Sequence, residues 1–574
     1  MPIHNSDIAD IFREVADLLS IEGANEFRVR SYRQAAQKID NLTQDIAEMV
    51  EEGEDLTGLS GIGDSIAEKI EEIVETGSLD QLEEIKESTP EALEELLDLA
   101  GLGPERVSDL YKELGIESGE DLKAAAESQQ IREIEGFGKK TEQKILDELE
   151  KEDKQKSRYM ISRAEEYTEP LRKYIESHED VIDVEVAGSY RRCKETVGDI
   201  DILATCENRE NVMDYFVTYD NVDTVESKGD TKSTVYLRSG LQFDLRLVDK
   251  QSYGAAILYF TGSAQHNIAL RDRALDRNLK INEYGVFPED DDEPVAGETE
   301  KEVYNAVDLP FIQPELRENQ GEIEAAESGN LPDLITQEDL KGDLQMHTTA
   351  TDGAASIEEM AHAARDMGYE YIAITDHSKR VTVAQGLNAD ELAEHIEKID
   401  EVNDSMDDFR ILKSCEVDIL EDGSLDLSDN ILKELDMVLC CIHYHRDLSQ
   451  KQQTERYIKA IEHPLCNVIG HPTGREIHKR GEMNLDMEKI MDAAESNNVF
   501  LELNATPRRL DLNDIYCKMA KERGIKLTIS TDSHSTEELN HIRFGINQAR
   551  RGWLQADDVI NTRSVTDVLD MMKK

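Results

Sequence analysis

The sequence predicts a multidomain chain that is all-α at its start, α+β in its middle and α/β at its end. Three observations predict it. At 574 residues the chain exceeds the roughly 250–300 residues at which single cores stop growing. Its apolar period then changes along its length. In the N-terminal part apolar residues recur at i, i+3 and i+4, as in DIADIFREVADLLSI, RVRSYRQAAQKIDN and SIAEKIEEIVETG, the stripe of a helix face. From about residue 181 the period becomes two, in VIDVEVAGSY, DIDILATC, STVYLRSG and LQFDLRLVD, which reads as strands. After residue 339 strands and helices alternate to the end, the pattern of a parallel sheet or barrel. The expected divisions are 1–80, 81–155, 156–249, 250–317 and 339–574, with the Gly- and Glu-rich stretch 318–338 as an interdomain linker.

Charge narrows the class. Asp and Glu total 125 against 64 Lys and Arg, a formal net charge of −61, and the acids line every predicted helix instead of forming a tail. Such a surface repels nucleic acid at low ionic strength, but the Debye length falls to about 3 Å at 1 M salt, so the composition points to a high-salt cytoplasm. No apolar run approaches the roughly 18 residues of a membrane span, and the N-terminus lacks a basic region followed by an apolar one. A soluble, cytoplasmic monomer is expected. The seven cysteines form no CxxC pair, which fits reduced thiols.

The helical part repeats one device three times: LSGIGDSIAEKI (59–70), LAGLGPERVSDLY (99–111) and IEGFGKKTEQKI (134–145). Each has a Gly pair, Gly61 and Gly63, Gly101 and Gly103, or Gly136 and Gly138, ahead of a helix. The glycines bring the backbone N–H groups of a helix N-terminus close to an anion. This is the helix-hairpin-helix pattern, which holds a DNA phosphate without reading sequence.

In AGSYRRCKETVGDIDILAT (187–205), Asp199 and Asp201 stand at i and i+2 of a strand and share one face. Paired carboxylates can hold divalent ions against phosphates, and Asp244 in LQFDLRLV is the candidate for a third, from a neighbouring strand. Ser189 and Arg192, with the turn at Gly188, suit a triphosphate. Spacing alone also fits a surface ion-pair cluster. The stretch GSYRRCKETVGDIDI resembles the signature of the family X DNA polymerases, the group of DNA polymerase β, and YFTGSAQHNIALR (259–271) resembles that family's nucleotide-binding segment. The resemblance implies a nucleotidyltransferase palm and thumb acting on gapped or primed DNA and dNTPs, with Mg²⁺ or Mn²⁺ on Asp199, Asp201 and Asp244. It implies triphosphate contacts from Gly188, Ser189 and Arg192, and sugar contacts from Tyr259 and Phe260. Gly262 and Ser263 then form a turn, and Asn267 and Arg271 face the nascent base pair and template. It also implies that Lys69 forms a Schiff base with a 5′-deoxyribose phosphate, flanked by Tyr32 and Arg33 at the 5′-phosphate. Asp64 and Ser65, however, occupy positions often basic in the family, and a Lys69 that merely touches backbone phosphate stays open.

The C-terminal part sets acids and histidines at the ends of successive apolar runs: DLQMHTTATDG, YIAITDHS, LKSCEVDIL, MVLCCIHYH, CNVIGHPTG and LTISTDSHS. In barrels of alternating strands and helices these ends converge on one face. His347, Asp352, His377, Glu416, His443, His471, Asp532 and His534 thus offer a multi-metal cluster suited to Zn²⁺, Mn²⁺ or Fe²⁺. The segments resemble the PHP (polymerase and histidinol phosphatase) domain, which implies a distorted (β/α)7 barrel, up to three metals and 3′-5′ exonuclease activity, with abasic-site cleavage as a further possibility. Where that family opens with H-x-H this chain has QMH, so Gln345 replaces a histidine and is counted as a weaker ligand. Asn504 and Arg509 could contact a substrate phosphate. Two other readings stay open: a DNA-end scaffold with a vestigial polymerase site, and a phosphoesterase acting mainly through the barrel.

Overall fold

The structure, a computed structural model, describes residues 158–573 throughout. Before them it describes 5–21, 24–40, 46–53, 56–58, 62–82, 104–116, 119–134, 137–139 and 141–142, with single positions 85, 96 and 145. The chain forms two compact units, Met1–Ser157 and Arg158–Lys574.

The first unit is helical in its described residues. Helix Asn5–Ile21 turns Ile8, Phe12, Val15 and Leu19 into a shared core with Tyr32, Ala36 and Ile39 of helix Glu26–Asp40, as the 3.6-residue period requires. Helix Asp64–Thr76 begins directly after Gly63 with an acid in its first turn, where the helix dipole favours it. It ends at Gly77, whose φ of 77° lets its N–H reach the Ile73 carbonyl at 2.7 Å. Gly138 is also described, whereas Gly61, Gly101, Gly103 and Gly136 lie outside the described residues.

The second unit opens with a five-stranded sheet: β1 (Val181–Val186), β2 (Asp199–Cys206), β3 (Val222–Lys228), β4 (Lys232–Leu237) and β5 (Gln242–Leu247) in the order β1-β2-β5-β4-β3. Only β2 and β5 run parallel, and their register sets Asp201 opposite Asp244. Helices Tyr253–Thr261 and Ala264–Leu275 follow, then a hairpin of Leu279–Asn282 and Gly285–Pro288. Tyr259 and Phe260 lie in the last turn of helix Tyr253–Thr261. The apolar run AAILYF has no period that separates helix from buried strand.

The remainder is a seven-stranded parallel barrel: β6 (Gly342–Asp343), β7 (Tyr371–Ile374), β8 (Arg410–Asp418), β9 (Met437–Cys441), β10 (Val468–Ile469), β11 (Phe500–Asn504) and β12 (Leu527–Ser530), paired in chain order. A bridge between Met346 and Ser533 brings the first and last strands together. Every strand is buried along its length except at Arg410 and Lys413 of β8, which are half-buried, as parallel strands covered on both faces must largely be.

The stretch 318–338, read from sequence as a linker, is packed into this unit. It carries helix Glu322–Ser328, and fully buried Glu322 accepts from the N–H groups of Asn319 and Gln320 and pairs with His266 at 2.7 Å. Palm and barrel meet across an apolar seam of Ile161, Leu510 and Phe544 with Tyr190, Cys193 and Ile477. Around it, Arg475 forks onto Glu195 at 2.6 and 3.2 Å, and Arg543 reaches Glu165 at 2.6 Å. No described helix is long and apolar enough to cross a membrane.

Candidate active sites

In the palm, three carboxylates gather at one end of β2 and β5. Asp199 opens β2, Asp201 follows on the same face, and Asp244 lies on β5 opposite Asp201. Asp244 is only 4% exposed and is held on both oxygens. Thr234 Oγ1 on β4 donates to Oδ1 at 2.6 Å, and Lys232 Nζ lies 2.6 Å from Oδ2. Arg246 stands over the Phe260 ring at 4.2 Å, 3.5 Å from Asp201 and 3.6 Å from Asp244. Burial, the Asp199 charge and, more weakly, Asp244 push the Asp201 carboxyl up to about 6, against the pull of Arg246. Burial and Asp244 raise Asp199 as well. Like charges forced together in a partly desolvated cleft are costly without a cation, so the donor set fits divalent ions.

The surrounding residues converge on the same cleft. Gly188 has φ 65° and starts the one-turn helix Gly188–Arg191, and a Cβ there would stand 3.3 Å from Asp201 Oδ2. Only glycine meets both demands. Ser189 is the next residue of that turn. Arg192 Nη1 donates to the Thr261 carbonyl, and a Cβ on Gly262, also at positive φ, would lie 3.3 Å from that nitrogen. Ser263 caps helix Ala264–Leu275 through the His266 N–H. Tyr259 and Phe260 stand edge to face at 5.1 Å. Asn267 donates to the Tyr259 carbonyl at 2.7 Å while its Oδ1 has no partner, and Arg271 Nε donates to the Asn267 carbonyl at 3.2 Å.

The residues that the resemblance assigns to a 5′-deoxyribose-phosphate site lie in the first unit. Lys69 is half-buried on helix Asp64–Thr76. Tyr32, expected at a 5′-phosphate, is 3% exposed, with its ring edge-on to Phe12 and its hydroxyl on Gln81 at 2.7 Å. Arg33 is exposed and pairs with Asp17 at 2.6 Å.

At the C-terminal ends of the barrel strands, Glu416 of β8 is the hub. It is 1% exposed, and His347, His377, His443 and His471 place ring nitrogens 3.3, 3.2, 3.1 and 3.0 Å from its oxygens. Asp532 lies 3.2 Å from His347 Nε2, and Asp352 lies 3.6 Å from both His377 and His534. Four groups result in which every member offers a ligand atom within 4.8 Å of the others: His347, Asp352, His377 and His534; His377, Glu416 and His443; His347, Glu416 and Asp532; Glu416, Cys441 and His471. Nδ1 of His347, His377 and His471 is buried without a hydrogen bond, although Glu416 lies 3.2 Å from His377 Nδ1. Such orphaned nitrogens are rare unless an ion takes them, so the site fits a multi-metal centre. Burial lowers the His443 pKa, but Glu416 and Asp418 outweigh it and raise it to about 9.

The Gln345 side chain engages a carboxylate that stands outside the four groups. Its side-chain amide donates to Glu502 Oε2 at 2.9 Å, and Glu502 also accepts from the His471 N–H at 2.7 Å. Asn504 bridges Glu502 and Asp532, and Arg509 Nε lies 3.7 Å from Asp532. Asp418 accepts from the His443 N–H and Nδ1 at 3.0 Å and fixes that ring. Asp376 accepts from Thr348 and lies 3.0 Å from His395. Sequence reasoning passed over Glu502 and Asp418. Both stand two residues from a residue it singled out, Asn504 and Glu416, on the same strand face, and that spacing was the available signal.

Comparison with known proteins now fits onto this geometry. Family descriptions match in order along the chain: Helix-hairpin-helix domain at 3–79, SAM-like Helix-hairpin-helix tandem at 93–151, DNA polymerase beta palm at 161–253, DNA polymerase beta thumb at 256–318 and PHP domain at 343–506. A polymerase β palm and thumb joined to a PHP barrel define a modular family X DNA polymerase. The DNA polymerase/3′-5′ exonuclease PolX of Bacillus subtilis (strain 168) is 37% identical over 574 residues, covering 100% of both chains. The chain belongs to this family of PHP-containing family X DNA polymerases. The barrel alone is similar to a probable phosphatase of Thermoanaerobacter sp. (strain X514), 30% identical over 235 residues that cover 38% of this chain and 89% of the other. A probable phosphatase of Acetivibrio thermocellus is 30% identical over 206 residues, 34% of this chain and 80% of its own.

Proposed function

We propose that the chain fills short gaps in DNA with dNTPs through the palm and trims 3′ ends through the barrel. The observation that carries the reading is the register of β2 on β5, which sets Asp201 opposite Asp244 with Asp199 beside them. In this reading Asp199, Asp201 and Asp244 hold Mg²⁺ or Mn²⁺, and up to three Zn²⁺, Mn²⁺ or Fe²⁺ ions sit on His347, Asp352, His377, Glu416, His443, His471, Asp532 and His534. When bound, such ions neutralise phosphate charge and make an oxygen nucleophile available at neutral pH.

The chain's own residues position the reactants. Ser189, Arg192 and the Gly188 turn take the triphosphate, Tyr259 and Phe260 the sugar, and Asn267 and Arg271 the base pair and template strand. With the primer 3′-hydroxyl aligned, it gives up its proton to solvent and its oxygen forms a bond to the α-phosphorus as the bond to the β-phosphate bridge breaks and pyrophosphate leaves. The Gly63 and Gly138 turns, with their partners in the three repeats, grip DNA phosphates. The acid excess suits work at high salt, where repulsion of DNA is screened.

An assay on DNA with a 5′-phosphorylated one-nucleotide gap, with and without dNTP, tests both activities at once: extension with dNTP and shortening without it are expected. A DNA-end scaffold predicts neither. Lys69 as a lyase nucleophile predicts a borohydride-trapped adduct with a 5′-deoxyribose phosphate, lost in Lys69→Ala.

A further inference from the structure

Around the mouth of the barrel centre, a chain with 125 acids and 64 bases gathers arginines from three segments. Arg446 lies three residues beyond His443, and its guanidinium packs on Gly474, three residues beyond His471, so closely that a Cβ there would come within 2.7 Å of Nη2. Arg480 donates to the Gly474 carbonyl at 3.1 Å, and Ile477 donates to the Arg508 carbonyl at 2.7 Å, which draws the third segment in. Arg509 follows Arg508 and reaches toward Asp532. Arg480 has Glu476 at 3.0 Å. Arg446 is half-buried and makes no ion pair or hydrogen bond with any described residue. Burial and the charges of Arg480 and Arg509 hold its pKa down, to about 10, against a weaker opposing pull from Tyr457 and Asp511. A half-desolvated guanidinium beside other cations is unfavourable unless an anion completes it.

We infer that Arg446, with Arg480 beside it and the Arg508 segment held alongside by Ile477, binds a non-scissile phosphodiester of the DNA strand whose 3′ end enters the barrel. The barrel then selects a polymer over a small phosphoester. This rests on the exonuclease reading and deepens it, because it gives the barrel a grip that needs a second phosphate on the same strand. Arginine suits that task through its fixed fork of donors.

The test compares two substrates of the metal-loaded full chain: a 5′-labelled single-stranded oligonucleotide and the p-nitrophenyl ester of thymidine 5′-monophosphate, which carries one phosphodiester and no neighbouring phosphate. Arg446→Ala is expected to lower kcat/KM on the oligonucleotide on the order of 10-fold, mostly through KM, with ester hydrolysis within about 2-fold of wild type. The slope of log(kcat/KM) against log[KCl] should become shallower by about 0.7, one phosphate contact on a single strand. Arg446→Lys should recover most of the loss. Since Arg446 bonds no described group, the alanine variant breaks no internal pair, and a matching ester rate reports an intact centre. An Arg446→Ala protein that degrades the oligonucleotide like wild type, or that loses both substrates equally, overturns the proposal alone. A wild-type protein that hydrolyses the ester yet leaves the oligonucleotide intact overturns the exonuclease reading with it.

Discussion

The guanidinium of Arg551, on a barrel helix, donates to the backbone carbonyl of Arg192 in the palm at 2.9 Å and to Glu318 at 3.0 Å, and the same Glu318 oxygen receives Arg192 Nε at 3.0 Å. Arg551 is 4% exposed and also pairs with Asp514. The proposed triphosphate arginine is therefore positioned by a residue of the other catalytic domain. Arg551→Leu leaves the largely buried Asp514 and Glu318 without their shared partner and should cost on the order of 3 kcal/mol, measured by chemical denaturation. It should also raise the dNTP KM in gap filling about 10-fold or more with a smaller change in kcat.

Glu318 gives the same network a pH signature. Burial raises its pKa, but Arg551, Lys194 and Arg192 outweigh this and hold it at about 2. A carboxyl depressed in the folded state contributes stability that is present above its unfolded value, about 4.3, and lost as pH falls toward 2. That contribution is roughly 3 kcal/mol. The denaturation midpoint of wild type should fall between pH 5 and pH 3 by more than that of Glu318→Gln, which has no such proton to take up; equal slopes would contradict the assignment.

Lys232 and Thr234 reach Asp244 from β4. Lys232→Met removes a cation that holds one carboxylate oxygen in place, and the expected effect is a fall in kcat of about 10-fold with little change in dNTP KM. Lys232→Arg should restore most of the rate. A loss confined to KM would show that Lys232 serves nucleotide binding instead.

In the barrel, His347 belongs to two of the four ligand groups, whereas the Gln345 amide is engaged by Glu502. His347→Ala should release metal from the purified protein, read by elemental analysis. Gln345→Ala should retain the wild-type metal content and lose activity only as far as Glu502, freed of its amide partner, shifts against the His471 N–H. Equal metal loss in both variants would make Gln345 a ligand.

These residues also separate what sequence could reveal from what it could not. Asp199 and Asp201 stand out because a strand repeats every second residue, and the candidate barrel ligands stand out because each ends an apolar run. The same rule pointed at Asp418 and Glu502 but had to be applied inside strands already credited with a site residue, Glu416 and Asn504. The stretch 318–338 looks like a linker because its acids look solvated. Glu322 is buried only because His266, 56 residues earlier, meets it, and Glu318 only because Arg192 and Arg551 converge on it. Partners so distant leave no local pattern. Tyr259 and Phe260 were placed by motif, while their helical backbone was hidden in an apolar run that suits either periodicity.

The most direct test of the central claim is primer extension across a one-nucleotide gap at molar KCl by Asp201→Asn, with 3′ shortening followed in the same reaction. The account predicts that incorporation falls on the order of 10³-fold while shortening in the absence of dNTP continues at the wild-type rate. Incorporation that survives the substitution would contradict the assignment of the palm carboxylates.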